Sequence, residues 1–344
     1  MNTTTYGAIM ERTGTPAATA MPPDVRTNPK FHSNAKNARP NVSSGPAGVA
    51  IDRSAKPLTA ASLNETYIET ARACHEHNLQ IPYSHTTALA LQRIELPQTT
   101  TLQPLLHATV LQKRMRRSVI NGVNVHMWSA LTDSDIVVPA PGLTAVRPLV
   151  AWAQMSKFLD LESLIILTES ILRHTTLDLD DFRTYVGIMG KFPGKRRCVR
   201  ALRLARPGAD SPKECEMRLR TLQFGMDQAE INYTIPGLAY PNGTAVTLDL
   251  AWPDAQVGME YNGDHHRTDK KQWRRDEWKR EAVAAKNWRL FTVTQLDLSD
   301  DWHMATLMMR VAAAMEAQTG RRVSITPPMS MEQLADRRRR IHRL

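Results

Sequence analysis

The sequence is poor in cysteine and lacks a long apolar run. Its three cysteines, Cys74, Cys198 and Cys215, are far apart, odd in number and without the spacing of a metal site. This pattern excludes a disulfide framework and favours reduced thiols in a cytoplasmic protein, with Cys215 packed in the core. No apolar run approaches the ~18 residues that a membrane-spanning helix requires. The N-terminus also lacks the basic-then-apolar order of a signal peptide, so we expect no membrane partner.

Acidic residues are outnumbered by basic ones. Lys and Arg total 44 against 34 for Asp and Glu, which gives a formal net charge of +10. This excess favours a polyanionic partner, most often nucleic acid, through non-specific attraction. The length of 344 residues allows two domains plus tails.

The first 60 residues contain few large apolar side chains. Thr, Ala, Pro, Asn and Ser dominate this segment, and its aromatic residues are Tyr6 and Phe31. Such a segment buries too little apolar surface to offset the entropy lost on ordering. We therefore predict that residues 1–60 form a disordered tail.

Residues 61–206 have the pattern of an α+β domain. Helical spacing through Tyr67, Ala71 and Cys74 predicts a first helix with Asn64 as its N-cap. Next comes a segment with Ser84 as its cap and Leu89, Ile94 and Leu96 buried. Two strands are predicted within 105–111 and 119–128. Two helices are predicted within 146–173, with a break near Leu159 and Asp160. We find no catalytic constellation in this half of the sequence.

A basic segment ends this half. Its sequence KRRCVRALRLAR (195–206) places Arg196, Arg200 and Arg203 on one helical face. This face is either simply solvated or a surface that contacts the phosphates of DNA. The Pro- and Gly-containing segment RPGADSP follows and predicts a domain boundary after residue 206.

Residues 207–320 predict a mixed α/β domain with the element order αβββαβα. The first helix begins with SPKE (211–214), a capping box in which Ser211 is the N-cap and Glu214 the third helical residue. Strands are predicted around 231–235, 247–252, 257–261 and 288–294, and helices around 269–286 and 302–317. Residues 321–344 form a basic tail ending in RRRRIHRL, which would add sequence-independent affinity for DNA.

The stretch TLDLAWPDAQVGMEY (247–261) predicts a β-hairpin whose loop is residues 253–256. The predicted pairs are Trp252–Val257, Leu250–Met259 and Leu248–Tyr261 on an apolar face, and Thr247–Asn262, Asp249–Glu260 and Ala251–Gly258 on the other. A slip of one residue would scatter the apolar side chains over both faces, so the register is well specified.

In this register the carboxylates of Asp249 and Glu260 are opposed, with Cβ atoms about 5 Å apart. Opposed like charges destabilise a sheet unless one is protonated or a cation lies between them. The pair suits a hard divalent ion such as Mg²⁺ or Mn²⁺, and the small residues Ala251 and Gly258 would leave room for a ligand. The pattern is equally compatible with two solvent-exposed acids, or with Asp249 paired to an arginine from elsewhere.

The segment NGDHH (262–266) follows the hairpin. Asn262 and Gly263 favour a turn, which would leave Asp264, His265 and His266 beside the predicted metal. A histidine there suits proton transfer to or from water or a leaving group, although a surface histidine is the alternative. A zinc site made by both histidines fits less well, because adjacent residues rarely point to one ion.

Three motifs, SPKECEMRLR, TLDLAWPDAQVGMEYNGDHH and RRDEWKREAVAAKNWRLFTVT, together resemble the very-short-patch-repair (Vsr)-like domain of the PD-(D/E)XK nuclease superfamily. The likeness covers about residues 208–298 and is greatest to the version found at the C-terminus of bacterial AbiEi-type antitoxin and transcriptional-regulator proteins. The segments YSHTTALALQRIELP and LVAWAQMSKFLDLESLIILTESILR are similar to the N-terminal region of those proteins. The resemblance implies a restriction-endonuclease-like fold, DNA as partner, and a phage-defence or toxin–antitoxin setting with a cognate toxin.

The resemblance also implies a role for each matching residue. Asp249 and Glu260 would bind the metal and, with Glu214, form the catalytic acids. His266, or else His265, would be the catalytic histidine, because Asn262 stands where the motif usually has its lysine. Supporting residues would be Asn262, Asp264, Asp276 and Arg280. In an active enzyme, phosphate contacts would come from Lys270, Lys271, Arg274 and Arg275, and Trp273 and Trp278 would lie against sugar or base, or else in the core. On the basic segment, the helical face itself makes Arg196 and Arg200 candidates for the same contacts.

Two functions follow as hypotheses. The first is a Mg²⁺- or Mn²⁺-dependent DNA endonuclease that hydrolyses phosphodiester bonds. The second is a non-catalytic DNA-binding antitoxin or transcriptional regulator that uses a degenerate nuclease fold. A partner-binding scaffold that needs no metal is a third reading.

Overall fold

The computed structural model describes residues 57–98, 100–112, 119–120, 122–263 and 270–336, and of 57–60, 119–120 and 270–273 it describes the backbone alone. Most of the predicted disordered tail and the residues 337–344 of the predicted basic tail therefore lie outside the described residues.

The first half of the chain combines helices with two small sheets. Its elements are α1 (Pro57–His77), α2 (His85–Leu91), β1 (Leu106–Val110), β2 (Val119–Ile120), β3 (Val123–Met127), β4 (Ile136–Ala140), β5 (Leu143–Val146), α3 (Pro148–Met155), α4 (Leu161–His174), α5 (Leu179–Ile188) and α6 (Lys195–Leu204). Strands pair in the order β1-β3-β2, with β1 and β3 parallel, and β4 pairs with β5 as an antiparallel hairpin.

Two predictions for this half are wrong, whereas the Ser84 N-cap, the burial of Leu89 and Ile94 and the strands within 105–111 and 119–128 are confirmed. Asn64 is not an N-cap, because α1 already begins at Pro57 and runs through it. Leu96 is 38% exposed, because the chain leaves α2 before it and continues as coil. The predicted break between two helices is confirmed, since Asp160 is the N-cap of α4 and accepts a hydrogen bond from the Ser163 N–H at 2.7 Å.

The second half carries a four-stranded mixed sheet. Its elements are α7 (Pro212–Gln223), β6 (Glu230–Ala239), β7 (Ala245–Trp252), β8 (Val257–Tyr261), α8 (Lys270–Ala285), β9 (Arg289–Val293), α9 (Gln295–Ser299), α10 (Asp301–Thr319) and α11 (Met331–Leu334). The strand order is β6-β7-β8-β9, antiparallel except between β8 and β9. Strands β8 and β9 are parallel because α8 connects them as a crossover. The predicted mixed α/β class is confirmed.

The main hydrophobic core crosses the predicted boundary at residue 206. Helix α7 lies after that boundary, yet Cys215, Leu219 and Leu222 pack in the same buried cluster as α3 and α4 of the first half. Cys215 is fully buried, as predicted, and the other two cysteines are also buried and unpaired. The described residues belong to one unit, so the division after 206 stays a prediction.

A buried ion pair also joins the two halves. Arg218 on α7 donates to the carboxylate of Glu169 on α4, and both side chains are almost fully inaccessible. Glu169 also accepts the backbone N–H of Arg206 at 2.8 Å. Burial disfavours the charged guanidinium, but Glu169 outweighs this effect and raises the pKa of Arg218.

No helix in the described part of the chain is both long enough and apolar enough to cross a bilayer.

We expect Arg218→Met to lower the free energy of unfolding by about 3–5 kcal/mol, because Glu169 would remain buried without its counter-charge. Urea denaturation measures this change. The matched control is Arg183→Met, which removes an exposed arginine paired to Asp180 at 2.6 Å and should cost less than about 1 kcal/mol. Equal effects of the two substitutions would contradict the role of the buried pair.

Three histidines meet in the first half, on α2, β1 and β3. Nδ1 of His107 lies 3.0 Å from Nε2 of His126, and the centroids of the His85 and His126 rings are 4.0 Å apart. Burial, followed by the charges of His126, His107 and Lys157, lowers the pKa of His85 well below its usual value. Burial also lowers the pKa of His107. His85 and His107 therefore stay neutral at pH 7 in the folded protein.

Acid should destabilise the protein through these histidines. Unfolded histidine binds a proton below about pH 6.5, whereas the buried rings do so at lower pH. The free energy of unfolding should thus fall by up to about 1.4 kcal/mol per pH unit for each such histidine below that pH. His85→Asn, which tolerates the left-handed φ of +52°, should reduce this dependence in urea denaturation, whereas His75→Asn, at an exposed position, should not. An unchanged pH dependence in His85→Asn would refute the assignment.

Candidate active site

The hairpin of β7 and β8 has the predicted register over three pairs, Trp252–Val257, Ala251–Gly258 and Leu250–Met259. The ladder does not include the predicted pairs Asp249–Glu260, Leu248–Tyr261 and Thr247–Asn262. The loop is a 3₁₀ turn at Pro253–Ala255, and Gln256 follows it in the left-handed region with a φ of +49°. The predicted loop of residues 253–256 is therefore confirmed.

The predicted apolar face is wrong at Leu248. Leu250 packs in the core shared with α10, but Leu248 packs with Ala251 in the core shared with α8. The side-chain alternation of β7 thus changes at Asp249. On the neighbouring strand β6, Asn232 lies opposite Asp249, between the pairs Ile231–Leu250 and Tyr233–Leu248. Its left-handed φ of +51° interrupts the regular pleat.

The ligand space predicted beside Ala251 and Gly258 is filled by the protein. Ala251 is fully buried, and a Cβ atom on Gly258 would overlap the side chain of Leu248. The two small residues therefore allow the core under α8 to pack closely against the sheet. The prediction of room for a ligand at this point is wrong.

Asp249 and Glu260 lie next to Leu250–Met259, the last pair of the β7–β8 ladder. Oδ2 of Asp249 accepts the backbone N–H of Tyr261 at 2.9 Å, which holds this carboxylate against β8. Burial raises the pKa of Glu260; Lys279 opposes this effect, and the negative charges of Asp249 and Asp276 add to it. The acids therefore share one electrostatic environment.

The cation of this site is Lys279, which the sequence analysis missed. Its Nζ donates to the carboxylate of Glu260 and to the backbone oxygen of Thr247, the latter at 2.6 Å. Burial disfavours the ammonium charge, but Glu260, then Tyr240 and Asp249, favour it and hold the pKa of Lys279 above its usual value. The site thus combines acidic side chains of the sheet with one lysine of α8.

The spacing of residues along α8 indicates that Lys279 is a candidate site residue. Asp276, Lys279 and Val283 are three and four residues apart, which places them on one face of the helix. Val283 is fully buried against the sheet, and Lys279 lies one turn before it. A lysine on the buried face of a crossover helix beside paired acids is a candidate site residue.

The other predicted residues of α8 differ in their placement. Arg280 is exposed and forms an ion pair with Glu277 of the same helix at 2.7 Å. Arg274 is exposed, and the guanidinium of Arg275 lies over the Tyr240 ring, 4.3 Å from its centroid. Trp278 packs against the same ring in the core, which supports the packing alternative for this residue. Lys270, Lys271 and Trp273 belong to the part of α8 whose side chains are not described.

Glu214 caps the helix on which it lies. Its carboxylate accepts the N–H of Asp210 at 2.7 Å and the hydroxyl of Ser211 at 2.9 Å, and its side chain is fully buried. Ser211 in turn accepts the Glu214 N–H, so the predicted N-cap is confirmed. The catalytic role of Glu214 stays a prediction.

The segment after β8 is described as far as Gly263. Asn262 is exposed, and its backbone N–H donates to Val293 of β9 at 2.7 Å. Asp264, His265 and His266 lie outside the described residues, so their predicted roles remain untested. Among the described residues, no group of three or more His, Cys, Asp or Glu side chains has an arrangement that could hold a metal ion.

The comparisons with known proteins give no relative for this chain: no family model, no curated protein and no solved structure matches it.

Removal of the lysine should expose the repulsion within the site. Lys279→Met leaves Glu260 and Asp249 without their cation, so we expect the free energy of unfolding at pH 7 to fall by about 1–3 kcal/mol. The loss should be smaller at a second, lower pH, because burial raises the pKa of Glu260 and its protonation removes the repulsion. Urea denaturation of Lys279→Met beside the exposed control Lys286→Met measures both effects. A loss that is the same at both pH values would contradict this account.

Proposed function

We propose that residues 207–320 form a metal-dependent phosphodiesterase of the PD-(D/E)XK, Vsr-like type that acts on DNA. The supporting observation is the convergence of Asp249, Glu260 and Lys279 from two adjacent strands and the crossover helix. Two carboxylates and a lysine at the end of a mixed sheet are the side-chain set that this superfamily uses. We take the strand order β6-β7-β8-β9, with its one parallel pair, as support for a restriction-endonuclease-like arrangement.

The donor set fits Mg²⁺ or Mn²⁺. Asp249 and Glu260 offer hard oxygen ligands, and Mg²⁺ is commonly bound by one or two carboxylates while it keeps several waters. A bound ion would lower the pKa of a bound water and polarise the scissile phosphate. Because burial raises the pKa of Glu260, occupancy by the ion should rise with pH as this carboxyl loses its proton.

In this proposal Lys279 replaces the lysine of the (D/E)XK motif, whose position in this sequence is occupied by Asn262. Its ammonium reaches Glu260 from α8 and stays charged, since the neighbouring carboxylates raise its pKa. An ammonium held near the carboxylates can neutralise the charge that develops on a phosphate oxygen during hydrolysis. Hydrogen bonds from Tyr261 N–H to Asp249 and from Lys279 to Thr247 O hold the two groups in orientation. The proposed proton donor or acceptor is His266, or else His265.

A second function has one observation in its favour. Lys279 already neutralises Glu260 within the protein, so the fold does not require a metal ion at this position. This arrangement is compatible with a non-catalytic DNA-binding antitoxin or transcriptional regulator built on a degenerate nuclease fold. Both functions place the protein beside DNA in the cytoplasm, and a phage-defence or toxin–antitoxin role with a cognate toxin remains part of the proposal.

Asp249→Asn should abolish DNA cleavage while DNA binding is retained. The assay incubates the full chain with supercoiled plasmid and with single-stranded DNA in Mg²⁺ or Mn²⁺, and follows the products on gels. We expect at least a hundredfold loss of cutting, because an amide replaces one of the two carboxylates that would bind the ion. Glu260→Gln should have a similar effect.

The hairpin and α8 offer matched controls for these substitutions. Asp254→Asn changes an exposed acid in the hairpin turn, and Glu281→Gln changes an exposed acid on α8. Both controls should cut at the wild-type rate. No cutting by the wild-type protein on either substrate, together with DNA binding that Asp249→Asn leaves unchanged, would favour the regulator and overturn the nuclease.

A further inference from the structure

Helix α10 (Asp301–Thr319) carries apolar side chains on two opposite faces. The face that packs in the core under the sheet consists of Met304, Leu307, Met308, Val311 and Met315. The positions opposite this face are Trp302, Thr306, Met309, Ala313 and Ala317, which we call the outer face of α10. A solvated helix usually presents charged side chains on such a face, as α6 does with the exposed Arg196 and Arg200. The outer face of α10 carries no charge.

The side chains of the outer face are open to solvent. Trp302 is 71% exposed and Met309 58%, and Leu296 on the preceding helix α9 is 60% exposed. Ala313 and Ala317 are exposed as well. Grouped apolar side chains on a surface mark a site of interaction, and aromatic residues and methionine are enriched where proteins bind one another. The outer face of α10 therefore has the composition of a protein interface.

The order of large and small side chains fits this face to a second copy of itself. Met309 lies about midway between Trp302 and the alanines Ala313 and Ala317. If two α10 helices run antiparallel and meet at Met309, each indole lies over the two alanines of the other copy. Large side chains then oppose small ones, as close packing requires. A parallel pair would instead set the two indoles against each other and leave the alanines without a large partner.

The charges at the ends of α10 favour the same orientation. Asp300 and Asp301 are exposed at its N-terminal end, and Arg321 and Arg322 are exposed directly after its C-terminal end. Asp301 also pairs with Arg220 at 2.7 Å, but its side chain is still 62% exposed and can meet a second cation. An antiparallel pair brings the acidic end of each helix to the basic end of the other, and it opposes the two helix dipoles.

We propose that the outer face of α10 binds a second copy of this chain as an antiparallel helix pair with Met309 at the twofold axis. The same surface then serves both copies, as in twofold dimers generally. The proposal does not rest on the proposed function. Helices α10 and α8 pack on opposite faces of the sheet, so the contact between Lys279 and Glu260 would lie away from this interface.

The mass of the full chain in solution tests the interface. Sedimentation equilibrium in EDTA should give twice the chain mass of 38.7 kDa. Met309→Glu places two carboxylates beside the axis and should raise the Kd of the dimer by about a hundredfold, because burial of unpaired charge opposes association. The matched control is Ile188→Glu on α5, at a position that is 77% exposed, and its Kd should stay within about twofold of wild type. Circular dichroism checks that both variants are folded.

Cysteine cross-linking tests the orientation of the pair. The three native cysteines are buried, so an introduced surface cysteine dominates the reaction. With copper phenanthroline as oxidant, Met309→Cys should form a disulfide-linked dimer, because both copies of this residue lie at the axis. Trp302→Cys should not, since its two copies would be about 20 Å apart along the helices, beyond the reach of a disulfide.

Each result decides the proposal. A dimer that Met309→Glu dissociates and Met309→Cys cross-links supports it. A monomer at every concentration overturns it, and slow reaction of the Met309→Cys thiol with maleimide in that monomer would show that another segment of the chain covers the face. Equal loss of the dimer in Ile188→Glu, or cross-linking through Trp302→Cys instead, also overturns it. Asp249→Asn should leave the Kd unchanged, so a failure of the nuclease proposal is separate from a failure of this one.

Discussion

The candidate site depends on the contact between the ammonium of Lys279 and the carboxylate of Glu260. Two acids held by adjacent strands repel each other, and burial of Glu260 raises the cost of its charge. The ammonium of Lys279 on α8 offsets both the repulsion and the cost of burial, and it also donates a hydrogen bond to the backbone oxygen of Thr247 on β7. The same contact fixes the crossover helix over the sheet, so that the stability of this region and the charge of the site are coupled.

This coupling sets two opposite demands on the site. A metal ion needs Glu260 deprotonated and free to coordinate, whereas the protein alone holds Glu260 in an ion pair. In a nuclease, Lys279 would turn from the carboxylate toward substrate phosphate when the ion arrives. In a regulator the pair would persist. The contacts of Lys279 therefore distinguish a nuclease from a regulator, whereas the net positive charge of the chain is compatible with both.

Much of this architecture was predictable from local patterns. Alternation around the Pro253 turn fixed the hairpin register, and SPKE marked the start of α7, because both signals depend on neighbours in the sequence. Leu248 was misassigned because the change of pleat at Asp249 arises opposite Asn232, on another strand. Lys279 was missed because its partner lies across a crossover. The burial of Glu169 with Arg218, and the meeting of His85 with His126, likewise require contacts between remote elements.

Anomalous diffraction from crystals of the full chain soaked in MnCl₂ would show whether Asp249 and Glu260 bind one metal ion together. We expect one manganese peak at bonding distance from an oxygen of Asp249 and an oxygen of Glu260, with Nζ of Lys279 displaced from the Glu260 carboxylate. A peak bound elsewhere, or well-ordered Asp249 and Glu260 carboxylates without manganese between them at millimolar soaks, would contradict it.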